Sequence, residues 1–311
     1  MTDVLERVRA TGLLVSGSPV VVLLSGGRDS VCLLDVAVTL CGAESVRAVH
    51  VDYGLRAESG SDAESCAALC RMFAVPLAVE TPRRPDDAAG NLQAWARDVR
   101  YATGAQAALA FGNASLAAGH TATDQAETVL YRLASSPGRR ALLGMPSRSG
   151  RLVRPLLAVT RQDTAAHCRA RGLSWVEDAS NAGDAFARGR VRHGLVPALE
   201  AVDPRALANV LSTAELLRAE AEVLDAVVDA ALSGRASIEL SHLAELPPAL
   251  ARLVLRRLAE DAVGGLCARA ASRLDDVLAL GDGALDVGDG ARVVVSGGVL
   301  RVERTPPLPE R

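Results

Sequence analysis

Short β-branched apolar runs alternate with longer stretches of helical period over the first two hundred residues. Residues 20–24 (Val-Val-Val-Leu-Leu) form a continuous apolar run of strand length, and residues 46–51, 77–79 and 116–119 repeat that signal more weakly. Between them, residues 31–40, 62–73, 91–110 and 123–133 carry apolar positions at the 3.6-residue spacing of an amphipathic helix. A β-α-β-α rhythm predicts a parallel sheet covered on both faces. In such sheets ligands sit at the carboxyl ends of the strands, where loops meet helix N-termini.

The pattern changes further along. Residues 135–150 are rich in Ser, Pro, Gly and Arg and read as a surface loop. Asp203 is placed to cap a long amphipathic helix reaching about residue 232, with Pro204 in its first turn. Helical patterns follow at 246–262 and 267–280. Two short strands, 292–295 and 299–302, are joined through Ser296-Gly297-Gly298, and the Pro-containing end from 305 reads as a frayed tail. The predicted architecture is therefore an α/β domain over 1–200, a connecting helix over 201–232, and a smaller, mainly helical domain with a terminal β-hairpin over 233–311.

Composition narrows the chemistry. All 34 basic residues counted as Lys or Arg are Arg, Ala occurs 56 times and Ile once, a bias that a GC-rich coding sequence explains. Without any Lys, a Walker-type phosphate lysine, a Schiff-base lysine and a lysine nucleophile are all excluded. The net charge is −3, yet residues 131–192 hold twelve Arg against four carboxylates, a local +8 on an acidic remainder of −11. That asymmetry suits one anion-facing surface, or else a solvated arginine-rich face. No apolar run reaches the length of a membrane span, and the six Cys form no C-x-x-C pair, which fits reduced thiols in a cytoplasmic protein with no membrane partner.

One loop carries the strongest signal. Ser25-Gly26-Gly27-Arg28-Asp29-Ser30 lies between the first strand and a helix. Paired glycines let the backbone approach an anion, the amides opening the helix and its dipole favour phosphate, and two hydroxyls add donors. Asp29 suits a Mg²⁺ held beside phosphate oxygens. Elsewhere, Asp124 and Glu127 fall i, i+3 on one helix face; they are suited to an ammonium group or, alternatively, to the positive end of their own helix. His50 and Asp52 end the second strand and are expected to face the same crevice, for nucleotide contact or metal. Arg97 and Arg100, again i, i+3, suit phosphate or a target nucleotide, whereas Trp95 and the Cys66–Cys70 pair read as core.

Ser-Gly-Gly-x-Asp-Ser in this setting resembles the pyrophosphate loop of the ATP-pyrophosphatases (the PP-loop family), which work without a Walker lysine. Within that group the chain is similar to the tRNA(Ile)-lysidine synthases. The likeness is carried by His50-Val51-Asp52-Tyr53-Gly54-Leu55-Arg56, by Asn91–Arg97 with Arg100-Tyr101, by Gly119-His120 with Asp124-Gln125-Ala126-Glu127-Thr128, by Arg154-Pro155-Leu156-Leu157, and by Trp175-Val176-Glu177-Asp178 with Ser180-Asn181. With the Ser25–Ser30 loop these make six elements in order, which outweigh any one of them. Tyr53 and Thr121 stand where the family has His, Ser135-Ser136-Pro137-Gly138 replaces Arg-Gly-Ser-Gly, and Gly189 replaces Asn.

The resemblance implies an adenine-nucleotide α-hydrolase-like fold and a two-step ligase. ATP would lie over Ser25, Gly26, Gly27, Arg28, Asp29 and Ser30, with Mg²⁺ on Asp29 and Asp52 nearby. The C2 oxygen of a wobble cytidine in tRNA(Ile) with a CAU anticodon would attack the α-phosphate. Free lysine, held by Asp124 and Glu127, would displace AMP to form lysidine. Asp29, Asp52 and Arg190 carry the implied catalytic roles, while Arg97, Arg100, Arg188 and Arg192 are the implied tRNA and phosphate contacts. The C-terminal domain is the implied tRNA-recognition element, and homodimerisation stays open. Another PP-loop tRNA modification, or a non-catalytic nucleotide- or tRNA-binding module, are the alternative readings.

Overall fold

The computed structural model describes residues 3–54, 59–84, 92–136, 138–177 and 187–306. The expectations resting on Leu55, Arg56, Asn91, Pro137, Asp178, Ser180 and Asn181 lie outside the described residues. The chain divides into two compact units, Met1–Leu217 and Arg218–Arg311.

The first unit is built on six strands, β1 (Val20–Leu23), β2 (Val46–Val51), β3 (Leu77–Glu80), β4 (Ser115–Ala117), β5 (Arg148–Ser149) and β6 (Leu152–Val153). Their order is β3-β2-β1-β4-β6-β5, parallel throughout except for the β5–β6 pair. Helices α1 (Val4–Ala10), α2 (Arg28–Cys41), α3 (Ser59–Met72), α4 (Leu92–Ala110), α5 (Ala122–Ser135), α6 (Arg139–Leu142), α7 (Arg161–Ala170), α8 (Ala187–Arg190) and α9 (Val196–Val202) accompany the sheet, and α10 (Ala206–Leu232) begins within the unit. All four β1 residues are buried, as a central parallel strand covered on both faces requires. Val20 and Val22 enter the core beneath α2, while Val21 and Leu23 enter a second one beneath α4, following the two-residue strand period. Strand order reverses between β1 and β4, so the crevice of a doubly wound sheet opens where β1 and β4 end.

Several local features differ from the sequence expectation. The expected loop at 135–150 contains α6 and β5, elements too short to show a period. Helix α10 starts at Ala206 rather than at Pro204, because Asp203 turns its side chain to the Arg205 amide at 2.7 Å and closes a tight turn first. Helix α7 has a clear local cause: Thr160 and Asp163 form a reciprocal capping box ahead of it.

In the second unit, α11 (Leu240–Glu245), α12 (Pro248–Val263) and α13 (Leu274–Leu278) pack on a four-stranded antiparallel sheet of order β7-β10-β9-β8. The expected hairpin is β9 (Ala291–Ser296) with β10 (Val299–Arg304), and β8 (Gly283–Gly288) and β7 (Ser237–Glu239) extend it. Alternate residues Ala291, Val293 and Val295 point into a core shared with Val254, Leu255 and Leu258 of α12. No helix among the described residues is long and apolar enough to cross a membrane.

Candidate functional site

The loop after β1 is shaped by its glycines and closed by its serines. Gly26 takes φ +84°, and a Cβ there would stand 3.3 Å from Cys66 Sγ. Ser25 and Ser30 place their hydroxyls 3.1 Å apart, and Ser30 Oγ donates to the Gly27 carbonyl at 2.8 Å. Gly27 is the N-cap of α2, so the first-turn amides of Arg28 and Asp29 have no partner inside the helix and point toward the crevice mouth. From the other side the Val176 amide donates to the Gly26 carbonyl at 2.9 Å, which fastens the Trp175-Val176-Glu177 segment over the loop.

A cavity of about 560 Å³ opens there. Its lining includes Ser25, Gly27, Arg28, Asp29 and Ser30 of the loop, Val49, Val51 and Tyr53 from β2 and beyond, Arg100 and Tyr101 from α4, Gly119 and His120 after β4, and Asp124, Arg161, Trp175 and Arg192. Gly119 brings the β4 end onto the loop: a Cβ there would lie 3.1 Å from the carbonyl carbon and oxygen of Asp29, a backbone clash that no rotamer change relieves.

The strand pleat sorts β2 differently from expectation. Val49 and Val51 face the cavity, whereas His50 is buried on the other side, its Nδ1–H donating to the Leu24 carbonyl at 2.9 Å. Asp52 is not among the lining residues, and its Oδ1 accepts from the Gly54 amide at 2.9 Å. Trp95 is likewise not in the lining and packs edge-on against Tyr53 at 5.8 Å between ring centroids.

Three carboxylates and three guanidinium groups meet at the cavity floor. Asp29 Oδ1 accepts from the Thr164 hydroxyl at 2.5 Å and from Arg28 Nε at 3.2 Å, while Oδ2 lies 3.6 Å from Arg161 Nε. Asp124 uses Oδ2 for the capping box of α5, taking the Thr121 amide at 2.9 Å and hydroxyl at 2.8 Å, and gives Oδ1 to Arg161 Nη2 at 2.6 Å. Thr121 thus fills a capping role. Glu127, 3% exposed, accepts a fork from Arg192 at 2.8 and 2.9 Å and a longer bond from Arg161 at 3.4 Å. The two readings of the Asp124–Glu127 pair are therefore divided by atom: one oxygen of Asp124 serves its own helix, and the rest of the pair faces cations.

Burial alone would raise the Asp124 carboxyl, but the Arg161 charge and the Thr121 hydrogen bonds overcome it and hold the group below the ordinary carboxylate range. Burial depresses Arg192, and its bonds to Glu127 more than restore it, leaving it above its usual value. Burial pushes His120 down to about 4, with Arg154, Arg100 and Arg97 opposing its charge and Asp124 favouring it. Neutral at pH 7, His120 has a buried Nδ1 with no hydrogen-bond partner.

Of the three arginines at 188, 190 and 192, Arg192 is the one that lines the cavity. It sits in a π-helical stretch, Val191–Leu195, following α8; the wider turn re-aims side chains within a continuous helix. Arg188 and Arg190 are exposed. Arg97 and Arg100 lie 5.0 and 5.5 Å from the Tyr101 ring centroid. Sequence reading missed Arg161 and Thr164. The Thr160-x-x-Asp163 box that starts their helix was a usable signal, but their contact with Asp29 was not. Among the described residues no group of three or more His, Cys, Asp or Glu could hold a metal ion.

A PP-loop domain model matches residues 4–199. The tRNA(Ile)-lysidine synthase of Symbiobacterium thermophilum is 36% identical over 97% of this chain and 70% of its own length. That of Solibacter usitatus is 39% identical over 82% of this chain, which spans 59% of it. Among solved structures, the U34-tRNA thiolase NcsA of Methanococcus maripaludis, with its [4Fe-4S] cluster, shares the fold at TM-score 0.58 and 16% identity, covering 69% of this chain and 78% of that one.

Proposed function

Because the chain belongs to the PP-loop family of tRNA(Ile)-lysidine synthases, we propose that it joins free lysine to C2 of the wobble cytidine of tRNA(Ile) with a CAU anticodon, using ATP and releasing AMP and pyrophosphate. The observation that carries this reading is the juxtaposition, in one cavity, of an anion-binding loop with Asp29, Asp124, Arg28, Arg161 and Arg192, behind which buried Glu127 pairs with Arg192.

ATP fits the loop end. The Gly26-Gly27 backbone, the α2 amides and the two serine hydroxyls converge where a triphosphate would lie, and such a site needs no Lys. Mg²⁺ commonly enters with a nucleotide, keeps several waters and takes one or two protein carboxylates, so Asp29 is sufficient as its protein ligand, and Asp52, which does not line the cavity, is not required. Arg161 and Arg192 present planar forks at the cavity floor, suited to charge developing on a departing pyrophosphate, and Arg190 lies on the same helical segment.

Lysine fits the opposite side of the cluster. A free amino acid brings an ammonium and a carboxylate together, and Asp124 and Glu127 beside Arg161 and Arg192 offer both signs within a few ångströms. The ε-amine attacks C2 of the adenylated cytidine and expels AMP, which balances the bond formed to nitrogen against the C–O bond broken. The cytidine must leave its stack to react, and Tyr101 with Arg100 provides an aromatic and cationic wall for it. The second unit serves tRNA recognition, and the enzyme acts in the cytoplasm.

The test is incorporation of labelled lysine into tRNA(Ile) transcript with a CAU anticodon, in the presence of Mg-ATP. Wild-type protein is expected to incorporate lysine with stoichiometric AMP release, and Asp29→Ala to lose it. Folded protein that binds ATP and this tRNA yet incorporates none overturns the proposal.

A further inference from the structure

Helix α7 brings Arg161 and Thr164 to the cavity floor, and a buried ion cluster outside the cavity attaches it to α2. Asp35 of α2 is fully buried between Leu34 and Val36, which are buried to the same degree. Its carboxylate is satisfied from α7. His167 Nε2–H donates to Oδ2 at 2.7 Å. Arg171, just past the last turn of α7, adds a fork, with Nη2 at 3.0 Å from Oδ1 and Nε at 3.2 and 3.3 Å from the two oxygens. Burial would raise the Asp35 carboxyl, but these bonds outweigh it and hold the group below the ordinary carboxylate range. His167 is buried as well, whereas the Arg171 side chain is half-exposed. None of the three lines the cavity.

Two further contacts join the helices nearer the cavity. The Cys168 thiol meets the Arg28 carbonyl at 3.7 Å, and the Thr164 hydroxyl donates to Asp29 Oδ1 at 2.5 Å. From the Thr164–Asp29 contact to the Arg171–Asp35 contact the numbering rises on both helices, so they run side by side in one direction. The core side chains between these contacts include Cys32 and Cys168, which are small. Apolar contacts of that kind tolerate a small axial shift, but a bidentate fork on a carboxylate does not. A buried ion cluster adds little net stability over apolar residues of the same shape, and fixing register is its best-attested use. Thr164 is fully buried and outside the cavity lining, so it reaches the site through Asp29.

We propose that Asp35, His167 and Arg171 are positioning residues, which pin α7 in register along α2 and so hold the Thr164 hydroxyl on Asp29, fixing that carboxylate for Mg-ATP. Without the hydroxyl, Asp29 is left between Arg28 at 3.2 Å and Arg161 at 3.6 Å, with nothing to fix which oxygen faces the loop. The inference rests on the proposed function only in taking Mg-ATP as the ligand of the Ser25–Ser30 loop.

The experiment measures Mg-ATP affinity by calorimetry and melting temperature by scanning, on the full chain without lysine or tRNA. Thr164→Val removes the hydroxyl with little change of shape. It is expected to weaken Mg-ATP binding about tenfold, as loss of a group that orients a metal-binding carboxylate does, and Thr164→Ser should restore it. Asp35→Leu with His167→Leu replaces the cluster by apolar side chains. The melting temperature should be unchanged or raised, while Mg-ATP binding weakens as in Thr164→Val. Adding Thr164→Val to that pair should cost at most about twofold more, because the contact it removes is already lost. Arg171→Gln alters only the half-exposed member and is expected to weaken Mg-ATP binding severalfold; it decides the matter if the paired variant does not fold. Wild-type Mg-ATP affinity in the folded paired variant, or in folded Arg171→Gln, overturns the proposal. A full further tenfold loss on adding Thr164→Val also overturns it, since the cluster and the hydroxyl would then act separately. A protein that shows the expected losses of Mg-ATP affinity yet forms no lysidine refutes the proposed function alone.

Discussion

Two arginine clusters border one cavity, and they differ in what neutralises them. Arg161 and Arg192 at the floor are locked to Asp124 and Glu127 at 2.6–2.9 Å. Arg132 and Arg154 donate to the carbonyls of Gly144 and Pro146 and have no carboxylate partner among the described residues. The paired set is held in place before any ligand arrives, so it costs little reorganisation when charge develops nearby. The second set carries a desolvation cost that its carbonyl hydrogen bonds offset in part. Forks held by carboxylates are pre-set for chemistry, and forks held by carbonyls brace the chain that accepts from them.

The comparison breaks most visibly at Arg161, which touches three carboxylates. Arg161→Ala is expected to lower ATP–pyrophosphate turnover by about 10²–10³-fold, the usual loss when one preorganised donor is removed. It should leave RNA affinity within about twofold. A turnover within threefold of wild type would show that the paired set has no part in the chemistry. Next in size, Glu127→Gln takes from Arg192 its forked counter-charge and leaves it Asp124 at 3.7 Å. Removing one partner of a buried pair costs on the order of 3 kcal/mol, which lowers the melting temperature by about 6–12 °C in a unit of this size. A drop below about 2 °C would mean that solvent already screens the pair. The smallest effect concerns His120, whose pKa is depressed from 6.5 to about 4 under the combined influence of burial and three arginines. The unfolded chain then binds a proton that the folded chain refuses across this interval. Stability is full above pH 6.5 and declines as pH falls toward 4. His120→Asn should flatten that portion of the melting-temperature profile. A slope identical to wild type would show that burial does not depress His120.

Much of the molecule was legible in the chain. Val20–Leu23 is a buried run because a central parallel strand meets helices on both faces. Ser25–Ser30 forms an anion loop because two glycines and two hydroxyls follow that strand. The i, i+3 spacing of Asp124 and Glu127 put both on one helix face, and the structure keeps them there. The period-2 rule led to the expectation that His50 and Asp52 face the crevice, but Val49 and Val51 line it instead, because nothing local says which face of β2 meets the cavity.

Sequence alone thus determined the strand and helix rhythm, the absence of Lys, the phosphate-binding loop and the family. These follow from residue spacing and from backbone conformations that particular side chains permit. Tertiary structure alone decided that Arg161 meets Asp29 and Asp124, that Glu127 pairs with Arg192 sixty-five residues away, and that Arg132 and Arg154 donate to the Gly144 and Pro146 carbonyls. Charge pairing depends on distances between atoms brought together by packing, and no count of charges along a chain contains them.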